Sequence, residues 1–176
     1  MQKLIKKNIK DIFILTPMQE AMLFYYLKTP HSEFYFEQLS LAISGKIDLD
    51  CFEKAWNAVV ETNEMLRTVF YWEKVEKPFQ IVLEKIPRLN LSYYDLSGKS
   101  TTDAYKSLDD IKRRDRIEKF NLQQMEIPFR IILGKIPGDK YEMIISNHHI
   151  LYDGWSTGII LEEFLKSYDA FSQGKA

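Results

Sequence analysis

Apolar residues recur at the spacing of an α-helix in two segments of the first half of the chain. A first helix is predicted to begin with Thr16 as N-cap and Pro17 at its first position, where a missing N–H costs nothing. It should end before Pro30. A second helix follows Asp48 or Asp50, either of which can act as its N-cap. Its apolar positions are Phe52, Trp56, Val59 and Val60.

The second half of the chain contains two more helical patterns. Residues 101–119 are rich in charge and predict a solvated helix. Its inward positions are expected to be Tyr105, Leu108 and Ile111. Residues 156–171 predict a closing helix. Its inward face is expected to hold Ile159, Ile160, Phe164, Leu165 and Tyr168.

Alternating or short continuous apolar runs between these helices predict β-strands. The predicted strands are residues 34–44, 66–72, 79–83, 91–94, 129–136 and 141–146. Pro137-Gly138-Asp139 is a turn signal between the last two strands. The order of the elements predicts an α/β (α+β) two-layer sandwich, in which a mixed β-sheet is covered by helices.

Composition narrows the class of protein without indicating its chemistry. A chain of 176 residues, 45% hydrophobic and 14% aromatic, is typical of one folded domain. Its net charge of −1 provides no overall field for nucleic acid or a membrane surface. Cys51 is the one cysteine, so no internal disulfide and no cysteine zinc site is expected. Because no apolar run approaches the ~20 residues that span a bilayer and no secretory signal is present, we expect a cytoplasmic protein.

Candidate chemistry is concentrated after the last predicted strand, where Asn147 precedes His148 and His149. Asp153 and Gly154 follow, and the glycine would allow a sharp turn that aims an imidazole out of a rigid edge. Imidazole can accept or return a proton at neutral pH. The alternative is a pair of histidines that merely end a strand. A metal site is not expected, because adjacent strand residues point to opposite faces.

Three short motifs in order resemble those of the condensation-domain superfamily, which includes chloramphenicol acetyltransferase. His-His-x-x-x-Asp-Gly occupies residues 148–154 and is followed by Trp155 and Ser156. Residues 15–23, Leu-Thr-Pro-Met-Gln-Glu-Ala-Met-Leu, resemble the first condensation motif. Residues 66–70, Leu-Arg-Thr-Val-Phe, resemble the second. Together they identify the chain as similar to the condensation domains of nonribosomal peptide synthetases.

The resemblance implies a chloramphenicol acetyltransferase-like fold and a V-shaped domain of two lobes. Residues 13–176 match the first, N-terminal lobe, so the C-terminal lobe is an expected partner and this lobe alone is expected to be inactive. The activity implied is peptide-bond formation between aminoacyl or peptidyl thioesters in antibiotic-type biosynthesis. Donor and acceptor carrier domains would present the substrates on phosphopantetheine arms, and no cofactor would bind directly.

Roles for individual residues follow from the same resemblance. His149 matches the catalytic histidine, which takes the proton from the attacking amine or holds that amine in line. Asp153 is expected to pair with an arginine of the second motif and to hold the loop in shape. Thr62-Asn63-Glu64 replaces the usual Arg-His-Glu, which leaves Arg67 as the candidate. The residues expected to support the motif are His148, Asp153, Gly154, Arg67, Trp155 and Ser156.

The N-terminal segment, residues 1–12, is a candidate docking or acceptor segment. Lys3, Lys6, Lys7 and Lys10 would lie on one face of a helix. In the family such a leader receives a helix from an upstream synthetase subunit, and lysines would favour carboxylates there. The alternative is a frayed, solvated start.

Other functions remain open at the level of sequence. The chain could be a non-catalytic docking module for a carrier or a subunit. An epimerisation domain shares the histidine signature but usually differs in the first motif, and a heterocyclisation domain would have aspartates in place of His148 and His149. A free acetyltransferase of the chloramphenicol type would complete its site by forming a trimer.

Overall fold

The computed structural model describes residues 8–30, 32–86 and 89–175. The strands are β1 (Ile9–Ile14), β2 (Phe36–Ser44), β3 (Thr68–Tyr71), β4 (Phe79–Leu83), β5 (Leu91–Asp95), β6 (Phe129–Ile136) and β7 (Lys140–His148). The helices are α1 (Pro17–Lys28), α2 (Leu49–Thr62), α3 (Thr101–Glu118) and α4 (Gly154–Ser172). Short 3-10 turns occupy Glu64–Arg67 and Leu122–Gln124. Within these ranges, every helix is too short or too polar to cross a membrane.

The strands belong to two sheets. The main sheet has the order β2-β7-β6-β5, and a smaller sheet has the order β1-β4-β3. Only the pairing of β5 with β6 is parallel among the pairs in the described ranges, so the main sheet is mixed. The predicted mixed sheet covered by helices is therefore confirmed, with a second sheet beside it.

Helices cover both faces of the main sheet. On one face, α3 packs its Ala104, Leu108 and Ile111 against β6 and β7. Gly134 of β6 permits this close approach, since a Cβ there would clash with Cδ2 of Leu108. On the other face lie α2 and α4, and most of the apolar core is there. Trp56 stacks on Phe164 between these two helices, with ring centroids 4.5 Å apart.

Some positions predicted to face inward are exposed. Tyr105 of α3 is exposed because the stripe that meets the sheet is formed by Ala104, Leu108 and Ile111, one residue around the helix. Both Ile159 and Leu165 of α4 are exposed as well. An apolar side chain beside a buried stripe matches the helical pattern almost as well as one within it, which explains these errors.

The N-terminal segment differs from the helix considered for it. Residues 9–12 belong to β1, which pairs antiparallel with β4. Lys10 therefore lies on a strand, and its Nζ is 2.5 Å from Oε1 of Glu64. Because a residue in a paired strand cannot lie on a helix, the helix considered for this segment is wrong at Lys10. Lys3, Lys6 and Lys7 lie outside the described residues, as does His31.

Candidate active site

The histidine loop leaves the end of β7 and is anchored by backbone hydrogen bonds to neighbouring segments. The N–H of His148 donates to the carbonyl of Pro128 at 3.0 Å, and the N–H of His149 donates to the carbonyl of Tyr35 at 2.8 Å. The N–H of Leu151 closes a turn onto the carbonyl of His148 at 3.1 Å. These bonds fix the direction in which each imidazole leaves the backbone.

His148 is buried, and the single hydrogen bond of its ring within the described ranges defines its tautomer. Its Nδ1 accepts the backbone N–H of Ile150 at 3.2 Å, so the neutral ring carries its proton on Nε2. The ring packs against Tyr26 and Tyr35. Burial, and secondarily the charge of His149, lowers the pKa of His148 to about 4. A neutral imidazole whose only lone pair already accepts an N–H supports the loop and has no free nitrogen for base catalysis.

His149 lies in a different environment. Its side chain is 31% exposed, and its Nδ1 is 3.0 Å from Oε1 of Glu37. This Nδ1 is buried and the N–H direction does not meet hydrogen-bond geometry, so the contact is electrostatic in character. Oε2 of Glu37 accepts Nδ2 of Asn147 at 2.9 Å. The other ring nitrogen of His149, Nε2, has no hydrogen-bond partner among the described residues and is not among their buried unpartnered atoms, which leaves it available to a substrate.

The first condensation motif contacts the histidine loop through Gln19. Its Nε2 donates to the carbonyl of Ile150 at 3.1 Å, while its Oε1 accepts the backbone N–H of Thr16 at 3.0 Å. Thr16 in turn accepts the backbone N–H of Gln19, which completes a capping box at the start of α1. The start of α1 is thereby tied to the loop that carries His149. The motif itself was predicted, but this contact was not.

Tyr152 completes the inner side of the loop. Its side chain is buried, and burial raises the pKa of Tyr152 far above its usual value, with the charge of Glu37 as a smaller cause. The phenol therefore stays protonated at any physiological pH. It contributes packing and a neutral hydroxyl near the Glu37 carboxylate.

Asp153 is the N-cap of α4 and is exposed to solvent. Its Oδ1 accepts the backbone N–H of Ser156 at 3.0 Å and the hydroxyl of Ser156 at 2.9 Å. The backbone N–H of Ser156 is the main cause that lowers the pKa of Asp153. Gly154 is the first residue of α4 and does not have a positive φ, so the sharp turn expected to need glycine is not seen. The side chain of Trp155 is 88% exposed.

Arg67 does not pair with Asp153, so that expectation is wrong. Arg67 is buried at 6% exposure, and its guanidinium donates to backbone carbonyls. The acceptors are Val60 (3.0 Å), Glu61 (3.2 Å), Leu83 (2.5 Å) and Glu84 (2.8 Å). The side chain thus joins the end of α2 to the end of β4. Because these carbonyls already satisfy it, the guanidinium needs no carboxylate.

A second polar cluster, which the sequence did not indicate, lies on the opposite face of β7. Asp115 of α3 forms a buried ion pair with Nε of Arg130. Oδ2 of Asp115 accepts the hydroxyl of Ser146 at 2.5 Å and Nε2 of Gln38 at 2.6 Å. Arg130 also donates to the carbonyls of Asp115 and Lys119 at 2.6 and 2.8 Å. This cluster fastens α3 to the main sheet.

Comparisons with known proteins identify the family to which the chain belongs. The chain belongs to the condensation-domain family, whose model, described as "Condensation domain", matches residues 9–176. It is 35% identical over 170 residues to surfactin synthase subunit 2 of Bacillus subtilis (strain 168), covering 97% of this chain and 5% of that protein. It is 33% identical over 163 residues to tyrocidine synthase 2 of Brevibacillus parabrevis, which covers 93% of this chain and 4% of that protein.

Solved condensation domains share the fold. The starter condensation domain of rhizomide synthetase RzmA superposes with a TM-score of 0.85 at 22% identity, covering 95% of this chain and 41% of that one. The first condensation domain of the calcium-dependent antibiotic synthetase, in complex with a substrate analogue, gives 0.84 at 22% identity, covering 96% and 41%. The chain thus spans about two fifths of these solved domains and a small part of the curated relatives.

Proposed function

We propose that this chain is the N-terminal lobe of a condensation domain that forms peptide bonds between carrier-bound thioesters, with His149 as its catalytic residue. The acceptor amine attacks the donor thioester carbonyl, and a C–N bond forms as the C–S bond breaks. The proton lost by the amine passes to Nε2 of His149 and then to the departing thiolate of the donor arm. Phosphopantetheine arms of the two carriers bring both substrates, so the lobe needs no bound cofactor of its own.

The observation that carries this proposal is the accessible Nε2 of His149 on a ring whose other nitrogen is buried beside Glu37. A base needs one free lone pair at a fixed position. The curated relatives are named as synthases of surfactin and tyrocidine, which supports the same reaction class. Positioning of two activated substrates would supply much of the rate, and effective molarity alone can be worth roughly 7–11 kcal/mol.

The test is His149→Ala in the complete condensation domain, with single-turnover product formation between two loaded carriers as the readout. We expect a loss of about a hundredfold to ten-thousandfold, because a positioned acid–base group contributes that much. His148→Ala is not a suitable control, since it removes a buried acceptor. Lys166→Ala serves better, because its side chain is 72% exposed and pairs with Glu162 on the surface of α4. Near-normal product from His149→Ala with an unchanged circular dichroism spectrum would refute the catalytic assignment.

We further propose that the residues before β1 receive an upstream subunit and that the protein acts in the cytoplasm. The boundary expected between residues 12 and 13 moves to the start of β1, because Ile9–Ile14 pairs with β4 inside the lobe. The place of Lys10 in β1 limits this docking role to the residues before that strand. A partner helix that carries carboxylates would meet Lys3, Lys6 and Lys7. Removing residues 1–7 should weaken the affinity for the upstream partner without changing the melting temperature.

A second candidate function is a non-catalytic docking module. It is favoured by large apolar side chains that stay exposed on α1 and in the first part of α4. They are Met18, Phe24, Trp155 and Ile159. We expect the chain alone to melt cooperatively, since a domain of this size buries roughly 70% of its unfolded surface, and to give no product with both loaded carriers. Product at the rate of the two-lobed domain would refute this expectation, and a trimer on a sizing column would support the acetyltransferase alternative.

A further inference from the structure

The antiparallel pairing of β2 with β7 brings Glu37 to the catalytic histidine. In this register Glu37 lies directly opposite Asn147, and the two side chains share a face of the sheet. His149 follows just beyond the end of β7, and its ring lies beside Glu37 on that same face. The carbonyl of Tyr35, two residues before Glu37, accepts the backbone N–H of His149 at 2.8 Å. The segment from Tyr35 to Glu37, at the start of β2, therefore contacts both the backbone and the ring of His149.

The Glu37 carboxylate is itself held in place. Its Oε2 accepts Nδ2 of Asn147 at 2.9 Å, and Asn147 is buried. This leaves Oε1 at 3.0 Å from Nδ1 of His149, close enough for a hydrogen bond although the angle for one is not met in this structure. Because the Glu37 side chain is 40% exposed, a small torsional change can complete the hydrogen bond without disturbing the core. An ionised carboxylate offers only acceptors, so the group that faces it must be the donor.

This geometry decides which nitrogen of His149 meets the substrate. Nδ1 is buried and has no other hydrogen-bond partner among the residues described, so a proton there has Glu37 as its acceptor within reach. In a neutral imidazole the proton on Nδ1 leaves the lone pair on Nε2. We propose that Glu37 is a positioning residue for His149, which fixes this tautomer and presents Nε2 to the attacking amine.

The proposal rests on the proposed function, since it assigns Glu37 a role in that reaction. When Nε2 takes the amine proton, the ring becomes an imidazolium with Nδ1–H facing the carboxylate. The pair of opposite charges stabilises this intermediate, and the stabilisation ends when Nε2 passes the proton to the thiolate. Glu37 itself neither gains nor loses a proton in the cycle.

Glu37→Gln is the matched substitution, because glutamine has the same shape and lacks the charge. Because Nδ2 of Asn147 is a donor, the amide oxygen of the new glutamine should accept from it. The amide NH₂ of the glutamine then faces Nδ1 of His149. That arrangement favours the opposite tautomer, with the proton on Nε2. A protonated Nε2 has no lone pair and cannot accept the proton of the amine. In the complete domain with both loaded carriers we expect kcat to fall about 10- to 100-fold, with KM for the acceptor carrier unchanged.

Glu33→Gln is the control. Glu33 precedes the same strand, and its exposed carboxylate is 3.5 Å from Nη1 of Arg116, away from His149. It should keep kcat within about twofold of wild type, as expected for an exposed surface pair. A kcat for Glu37→Gln that equals that of Glu33→Gln would overturn the proposal. So would a raised KM at normal kcat, which would mean that Glu37 contacts the carrier or substrate instead.

The ring tautomer supplies a readout independent of turnover. Nitrogen-15 chemical shifts of the complete domain distinguish protonated from unprotonated ring nitrogens, and His149→Ala identifies the signals. We expect wild type to carry the proton on Nδ1 and Glu37→Gln to carry it on Nε2. An unchanged tautomer would overturn the positioning role even if His149 is catalytic. If His149→Ala retains activity, the proposed function fails instead, and the tautomer still reports on Glu37.

Discussion

Two polar clusters lie on opposite faces of β7 near its end, and they differ in burial and in how completely their hydrogen bonds are made. The closed cluster consists of Gln38, Asp115, Arg130 and Ser146. The open cluster consists of Glu37, Asn147 and His149. The charged side chains of the closed cluster are 7% and 3% exposed, whereas those of Glu37 and His149 are 40% and 31% exposed.

The difference shows that one face of β7 stabilises the fold while the other presents the candidate catalytic residue. Inside the closed cluster, every oxygen of the Asp115 carboxylate has a donor, and Arg130 also lies over the ring of Phe120 at 4.4 Å. Buried charges are tolerated only with such complete pairing, and the result is a fixed α3. The open cluster instead leaves Nε2 of His149 without a partner within the described ranges. An unsatisfied nitrogen at a solvent-accessible edge is available to a substrate.

The largest expected effect on stability is the loss of the closed cluster. Asp115→Ala leaves Arg130 buried without a carboxylate, which should lower the free energy of unfolding by about 3–5 kcal/mol. Chemical denaturation of the 176-residue chain measures this. Asp110→Ala on the exposed side of α3, where Asp110 pairs with Arg113, should change little.

The matching change in the open cluster is Glu37→Gln, which should leave the denaturation midpoint nearly unaltered. A loss from Asp115→Ala below about 1 kcal/mol would mean that solvent reaches Arg130. A large loss from Glu37→Gln would mean that the open cluster also holds the fold together. Either result would remove the contrast between the two faces.

Local signals explain what the sequence predicted well. Thr16 and Pro17 defined the start of α1, and the predicted bounds of β4 and β6 agree with the structure. Helix caps, turns and alternating apolar residues each depend on a few neighbouring residues, so a single sequence is enough to predict them. The mixed α/β fold followed from their order.

Register between distant strands explains what could not be predicted. Glu37 reaches His149 only because β2 pairs with β7, more than 100 residues later. β1 likewise depends on a distant partner, because it pairs with β4, which begins at Phe79. The expected pair of Arg67 with Asp153 came from family resemblance, and the backbone carbonyls that satisfy Arg67 carry no signature in side-chain types.

A smaller effect on stability is expected from the buried His148. The pKa of His148 is lowered from 6.5 to about 4 in the folded protein, so between these pH values the unfolded chain binds more protons. Stability should therefore be full above pH 6.5 and should fall as the pH drops, by about 2 kcal/mol at pH 5. Denaturation curves at pH 7.5 and 5 measure the slope. His148→Gln should flatten it; an equal slope in the variant would mean that other groups cause it.

The smallest expected effect is the coupling between Arg67 and Asp153. Arg67→Ala leaves carbonyl groups at the ends of α2 and β4 without a hydrogen-bond donor. This should lower the free energy of unfolding by about 1–3 kcal/mol. Asp153→Ala removes the N-cap of α4 and should lower the melting temperature by about 2–4 °C. Since the two side chains share no partner among the described residues, the double variant should equal the sum within about 0.5 kcal/mol. A larger coupling in this cycle would restore the pair that the family resemblance implied and would require a loop conformation in which Asp153 leaves Ser156.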